Sequence, residues 1–199
     1  MTSAGAFIGP PTAVVLCGGA GRRFGGDKTR AGLGDTTVLD HLLLALPEGW
    51  PVVCVGPSRP VARPVSWCRE DPPGGGPVAA LAAALPLVTS GCVVVLGGDM
   101  PYAAGAAPQV ADRLDADPSV EAVVGRDGDG RLQPLLAAYR VDALRRVLPD
   151  DPAGSPLMRL LDPLRTTVVE LPAPTALDVD TREDLERARL AADGPGSPS

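Results

Sequence analysis

From Ala13 to Lys28 the chain reads Ala-Val-Val-Leu-Cys-Gly-Gly-Ala-Gly-Arg-Arg-Phe-Gly-Gly-Asp-Lys, an apolar run that stops abruptly in glycines, passes two arginines and ends on a lysine. This pattern predicts a strand running into a loop built to hold phosphate. Gly18, Gly19 and Gly21 remove side chains where backbone must turn sharply and approach a ligand, so that successive N–H groups can point at oxyanions. Arg22, Arg23 and Lys28 bring positive charge to the same anion.

The generic phosphate motifs do not fit. Gly19-Ala-Gly21-Arg-Arg-Phe-Gly25 has one residue too many for the dinucleotide fingerprint G-x-G-x-x-G, and Asp27 separates Gly26 from Lys28 where a P-loop requires Gly-Lys.

Downstream, continuous apolar runs of strand length recur at Pro51–Val55, Cys92–Leu96 and Glu121–Gly125, with shorter or flanking strands at Val65–Cys68, Leu132–Tyr139 and Thr166–Glu170. Continuous rather than alternating apolarity marks strands buried on both faces, as in a parallel sheet. Helical segments fall between them: Val38–Leu46 capped by Thr36 or Thr37, the alanine-rich run after Pro77, Ala106–Leu114, Val141–Leu148, and a short helix capped at Ser155-Pro156. Thr181 with Asp184 forms a capping box ahead of a terminal helix to Leu190, and the Arg126–Arg131 turn predicts a hairpin. Strands alternating with helices imply an α/β fold, a three-layer α/β/α sandwich with a Rossmann-like, mainly parallel sheet.

A chain of 199 residues suits one domain, expected over residues 12–191 between disordered ends at 1–11 and 192–199. Its net charge of −6 argues against a nucleic-acid surface. No apolar run approaches the roughly 20 residues that span a bilayer, and the amino end lacks a secretory basic region, so the expected location is the cytoplasm, away from membranes. Cys17, Cys54, Cys68 and Cys92 form no C-x-x-C pair and read as small buried hydrophobes. The single histidine, His41, lies in a leucine-rich helical run, which disfavours triad hydrolysis.

Gly97-Gly98-Asp99-Met100-Pro101 follows the most strand-like run. A carboxylate just past the carboxyl end of a central parallel strand points into the crevice where such sheets bind ligands, and a hard divalent cation takes one or two carboxylates plus phosphate oxygens. Asp99 is therefore expected to hold Mg²⁺.

The blocks Leu16–Lys28, Gly98–Pro101 and Asp178–Leu185 together resemble the nucleotidyltransferases that load GTP or CTP onto the molybdenum cofactor, whose signature runs L-x-G-G-x-x-x-R-x-G-G-x-D-K; this chain is one residue short before Asp27. The resemblance covers Ala13 to Leu190 and implies the nucleotide-diphospho-sugar transferase type of fold. It implies a Mg²⁺-dependent enzyme that transfers GMP from GTP to the phosphate of molybdenum-molybdopterin and releases pyrophosphate. It further implies nucleotide contacts from Leu16, Cys17, Gly18, Gly19, Gly21, Lys28, Asp71 and Asp99, catalytic roles for Arg22, Lys28 and Asp99, and Asp180 as a second metal contact, while Asp178 joins the hydrogen bonding of its loop. Gln133 and Pro134 would border the acceptor. Where the family often places an asparagine after the second strand, this chain has Gly56, so backbone would replace that contact. Expected partners are GTP, a molybdopterin-type cofactor and, transiently, proteins that deliver or accept it. Two other readings stay open: a cytidylyl or guanylyl transferase acting on another phosphorylated acceptor, and a nucleotide-binding module without turnover. Lys28 and Asp99 weigh against the second, since binding alone does not require the metal carboxylate.

Overall fold

The continuous apolar runs become the middle of one sheet. The computed structural model describes residues 9–18 and 24–192. In chain order its strands are β1 (Thr12–Leu16), β2 (Gly32–Leu33), β3 (Thr36–Thr37), β4 (Val52–Val55), β5 (Ser66–Cys68), β6 (Cys92–Gly97), β7 (Ala122–Arg126), β8 (Leu132–Arg140) and β9 (Thr166–Glu170). Seven of them form a sheet in the order β5-β4-β1-β6-β8-β7-β9, while β2 and β3 make a separate small ladder. Among the described residues β8 alone runs antiparallel in the large sheet, because it returns directly from β7 through the expected hairpin at Asp127–Arg131.

Every residue of β1, β4 and β6 is buried, since helices cover both faces. Ala13, Val15 and Cys17 pack with Leu39, Leu42, Val110 and Leu114 of α1 (Val38–Ala45) and α3 (Ala107–Asp115). Their neighbours Val14 and Leu16 pack on the other side with Val78, Leu81 and Leu144 of α2 (Pro77–Ala84) and α4 (Val141–Val147). The period-2 alternation of side chains thus feeds two cores at once, and each fully buried leucine contributes about 1.5–3 kcal/mol. α5 (Arg182–Ala192) closes a smaller third cluster through Leu185 and Ala188, with Leu33, Val38 and Val179.

Local chemistry sets the boundaries. Thr37 caps α1 by accepting from the Asp40 N–H at 3.1 Å. Pro77 opens α2, and Thr181 and Asp184 exchange capping bonds ahead of α5 at 3.2 and 2.7 Å. One expectation needs correcting. Ser155 makes no side-chain cap, because Pro156, which has no side-chain acceptor, occupies the cap position, and the short helix there is a single 3₁₀ turn at Leu157–Leu160. After the glycine loop a 3₁₀ turn at Lys28–Arg30 leads into the β2–β3 ladder. No described helix is long and apolar enough to cross a membrane.

Candidate active site

The carboxyl ends of β1, β4 and β6 are drawn together by backbone. Cys17 donates to the Val55 carbonyl at 2.8 Å, and Gly98 donates to the Leu16 carbonyl at 2.9 Å. A side chain at Gly98 would stand 3.0 Å from that same carbonyl oxygen, and one at Gly97 would stand 2.6 Å from the Asp99 carboxylate. Two glycines are therefore what let β6 end against β1 and turn Asp99 into the crevice.

Asp99 meets Lys28 there. The Lys28 ammonium lies 2.6 Å from Asp99 Oδ2 and also donates to Asp180 Oδ1. Residues 71, 81 and 152 positions apart in sequence (99 to 28, 180 to 99, 180 to 28) thus share one nitrogen. Asp180 is delivered by the segment between β9 and α5, which is tied to the site by the Val179 N–H donating to the Asp99 carbonyl at 2.9 Å. The Asp184 carboxylate holds its other end, accepting from the Asp180 N–H at 3.1 Å.

The charges explain the titration. Burial pulls the Lys28 ammonium down, but the Asp99 charge and the hydrogen bonds of Asp180 and Asp99 outweigh it, so Lys28 is held above its ordinary value and stays cationic. Asp178 reaches solvent, yet partial burial first, then the Asp180 charge, push its carboxyl above the usual range.

Lys28 is presented by a capped turn. Asp27 Oδ1 accepts from the Thr29 N–H at 3.1 Å and from its hydroxyl at 2.6 Å, closing the first turn from the N-cap position. The Asp in Gly-Gly-Asp-Lys is therefore a cap, a role legible in its spacing from Thr29.

The other expected residues fall as follows. Leu16 and Cys17 are 8% and 5% exposed, so what they offer a nucleotide is backbone. Gly18 continues from them, and a Cβ there would stand 3.6 Å from Glu70 Oε1. Asp71 is exposed on the following turn, whereas its neighbour Glu70 accepts from the Gly74 N–H at 3.0 Å and faces the glycine strand end. Gly19, Gly21, Arg22 and Arg23 lie outside the described residues, as do 1–8 and 193–199. Gln133 donates to Asp127 Oδ2 at 2.7 Å within the hairpin. His41 sits edge-on to the Tyr102 ring at 5.1 Å, and burial lowers its pKa.

Asp99 and Asp180 suit a small divalent ion. Both carboxylates reach one point, now taken by a cation, and among the described residues no group of three acidic, histidine or cysteine ligands forms an all-protein cage. Mg²⁺ shared with substrate phosphate needs no more than one or two carboxylates.

Comparison with known proteins gives the family and the fold. Residues 13–167 match the model of the MobA-like NTP transferase domain. A Mycobacterium tuberculosis protein named probable molybdenum cofactor guanylyltransferase is 34% identical over 146 residues, covering 69% of this chain and 72% of its own. A Deinococcus radiodurans protein of the same name is 31% identical over 162 residues, covering 80% and 83%. Among solved structures, molybdopterin-guanine dinucleotide biosynthesis protein A from Archaeoglobus fulgidus superposes with a TM-score of 0.70 at 22% identity over 92% of this chain and 98% of its own. The 2-C-methyl-D-erythritol 4-phosphate cytidylyltransferase of Thermus thermophilus also reaches 0.70, at 18% identity over 93% and 100%. The mostly parallel sheet with its flanking helices is thus the nucleotide-diphospho-sugar transferase fold, and the chain belongs to the MobA-like NTP transferase family.

Proposed function

We propose that this protein transfers GMP from GTP to the terminal phosphate of molybdenum-molybdopterin, releasing pyrophosphate, in molybdenum cofactor biosynthesis. The observation that carries the reading is the convergence of Lys28, Asp99 and Asp180 on one point at the carboxyl ends of β1 and β6, in a chain whose relatives bear the guanylyltransferase name.

In this reading the glycine-rich segment that begins at Leu16, Cys17 and Gly18 and goes on through Gly19 and Gly21 would supply N–H groups to the nucleotide phosphates. Lys28, with Arg22 and Arg23 of the loop, would neutralise the β- and γ-phosphates, and Asp71, next to the Glu70 that faces Gly18, would serve the ribose and base side. An oxygen of the acceptor phosphate attacks the α-phosphorus in line; the new P–O bond forms as the bond to pyrophosphate breaks, and the electron pair leaves with pyrophosphate. A phosphate monoester is already ionised at neutral pH, so the chain needs no general base, in keeping with its single, structurally engaged histidine. Lys28 and the loop N–H groups hold the reactants in line and offset charge. Asp99 and Asp180 would hold Mg²⁺, which would supply charge neutralisation on the triphosphate. The reaction belongs in the cytoplasm, with transient contacts to proteins that supply or receive the cofactor.

The test is a nucleotide panel with purified protein, Mg²⁺ and molybdopterin-type cofactor, following pyrophosphate. Release from GTP that depends on the acceptor is expected. Release from CTP instead would move the chain to the cytidylyl branch, and nucleotide binding without release under any acceptor would remove the enzyme reading.

A further inference from the structure

The loop between β4 and β5 carries an arginine whose contacts converge on the turn that presents Lys28. The Arg59 side chain is 12% exposed. Its Nη1 donates to Asp27 Oδ2 at 3.1 Å, its Nη2 donates to the Thr29 hydroxyl, and its guanidinium carbon lies 5.8 Å from the centre of the Trp67 ring. Asp27 and Thr29 flank Lys28 on either side. One carboxylate is thus divided between two tasks: Oδ1 caps the 3₁₀ turn and Oδ2 receives the arginine.

The arm that carries Arg59 has its own anchor. The Ala62 N–H donates to Asp40 Oδ1 at 2.8 Å, and the Arg63 guanidinium gathers carbonyls at the end of α1, among them Leu46 at 2.8 Å and Pro47 at 2.7 Å. Position is therefore transmitted from α1, through residues 59–63, to the turn at Lys28. An exposed arginine pair would contribute little, but this guanidinium is packed on an aromatic face and uses its planar fork on two different groups.

We propose that Arg59 is a positioning residue for nucleotidyl transfer: by gripping Asp27 and Thr29 against Trp67, it fixes the turn from which Lys28 reaches the nucleotide phosphates. The proposal rests on Lys28 being a phosphate-facing cation. A lysine stem has four rotatable bonds, and a loosened turn would let the ammonium wander from its in-line station; sub-ångström to ångström misplacement is enough to cost rate.

The experiment compares Arg59→Met, Arg59→Lys, Asp27→Asn and Lys28→Met, alone and with Arg59→Met added to Lys28→Met. The readouts are binding of fluorescent N-methylanthraniloyl-GTP, steady-state kcat and KM for GTP and for acceptor, and thermal midpoint. Arg59→Met keeps the stem on Trp67 and should lose about 10- to 100-fold in kcat/KM for GTP, with the acceptor KM and the thermal midpoint near wild type. Arg59→Lys should recover only a fraction, because an ammonium cannot span Asp27 and Thr29. In the Lys28→Met background, adding Arg59→Met should change GTP affinity by less than about twofold, since both act through one contact chain. Equal losses in both backgrounds, or full activity of Arg59→Met beside a crippled Lys28→Met, would overturn the positioning role. Wild-type affinity and turnover in Lys28→Met would overturn the reading of Lys28 and the proposal with it. If Arg59→Met folds poorly, Asp27→Asn severs the same contact from the other side and must reproduce the loss.

Discussion

Two ionic clusters lie at opposite ends of the sheet, and their charges are balanced in opposite senses. At the amino ends of β7 and β9, one carboxylate, Glu121, 7% exposed at its side chain, is shared by Arg146 at 2.8 Å, Arg165 at 3.1 Å and the Arg165 N–H at 3.1 Å. The Arg165 N–H, opposed by burial and helped by Arg146 and then Arg165, holds its carboxyl below the ordinary range. At the carboxyl ends of β1 and β6, one ammonium is shared by two carboxylates, with Asp178 held above its ordinary range beside them. A buried acid with surplus cations is satisfied by the fold itself. An acid-rich cluster with one cation in the crevice is what a nucleotide and its counter-ion would complete. Burial of charge therefore does not distinguish the cluster proposed to act on nucleotide from the structural one, whereas its balance and its end of the sheet do.

Asp99→Asn carries the largest expected effect. Turnover should fall at least about 10²- to 10³-fold, measured as acceptor-dependent pyrophosphate release, while the thermal midpoint stays close to wild type because Lys28 keeps Asp180. Near-normal turnover would erase the contrast between the two ends. Glu121→Gln should behave in reverse, costing about 1–2 kcal/mol by denaturant unfolding, a value discounted because Arg146 and Arg165 are 56% and 66% exposed, with turnover unchanged. Its pH dependence sharpens the point. With the folded pKa below the ordinary 4.5, the ionised carboxyl stabilises the protein fully above that value, and the contribution fades as pH falls through the folded pKa. The wild-type advantage over Glu121→Gln should accordingly vanish in acid, and an advantage that persists there would show that packing rather than charge is at stake. The smallest effect belongs to a third pair: Arg126 bonds Glu170 at 2.8 Å on the outer strands, with side chains 44% and 67% exposed. Glu170→Gln should leave the denaturant midpoint within error of wild type, because both groups are solvent-screened; a clear loss would mean that exposure does not govern these pairs as argued.

Much of this was readable along the chain. The apolar runs at Val52–Val55 and Cys92–Leu96 became the flanks of β1 because continuous apolarity means burial on both faces, and Thr37, Pro77 and the Thr181–Asp184 box marked helix starts through local hydrogen bonding. The position of Asp99 at the carboxyl end of β6 was legible because a carboxylate after a central strand points into the crevice there. The resemblance to the molybdenum cofactor nucleotidyltransferases supplied Asp180. Glu70, rather than Asp71, facing Gly18 was not legible, since adjacent acids on a turn differ only in backbone direction. Nor was Arg59, whose partners Asp27 and Thr29 lie 32 and 30 residues away.

The sequence by itself determined the alternation of strands and helices, the glycine-rich strand end, the caps and the acid after β6, because each depends on residues within a few positions of one another. Tertiary structure alone decided that Lys28, Asp99 and Asp180 meet on one nitrogen, that Glu121 is surrounded by arginines, and that Arg59 braces the Lys28 turn. Those contacts join segments that strand order and crossover direction bring together, and spacing along a chain carries no record of the angle at which its elements finally pack.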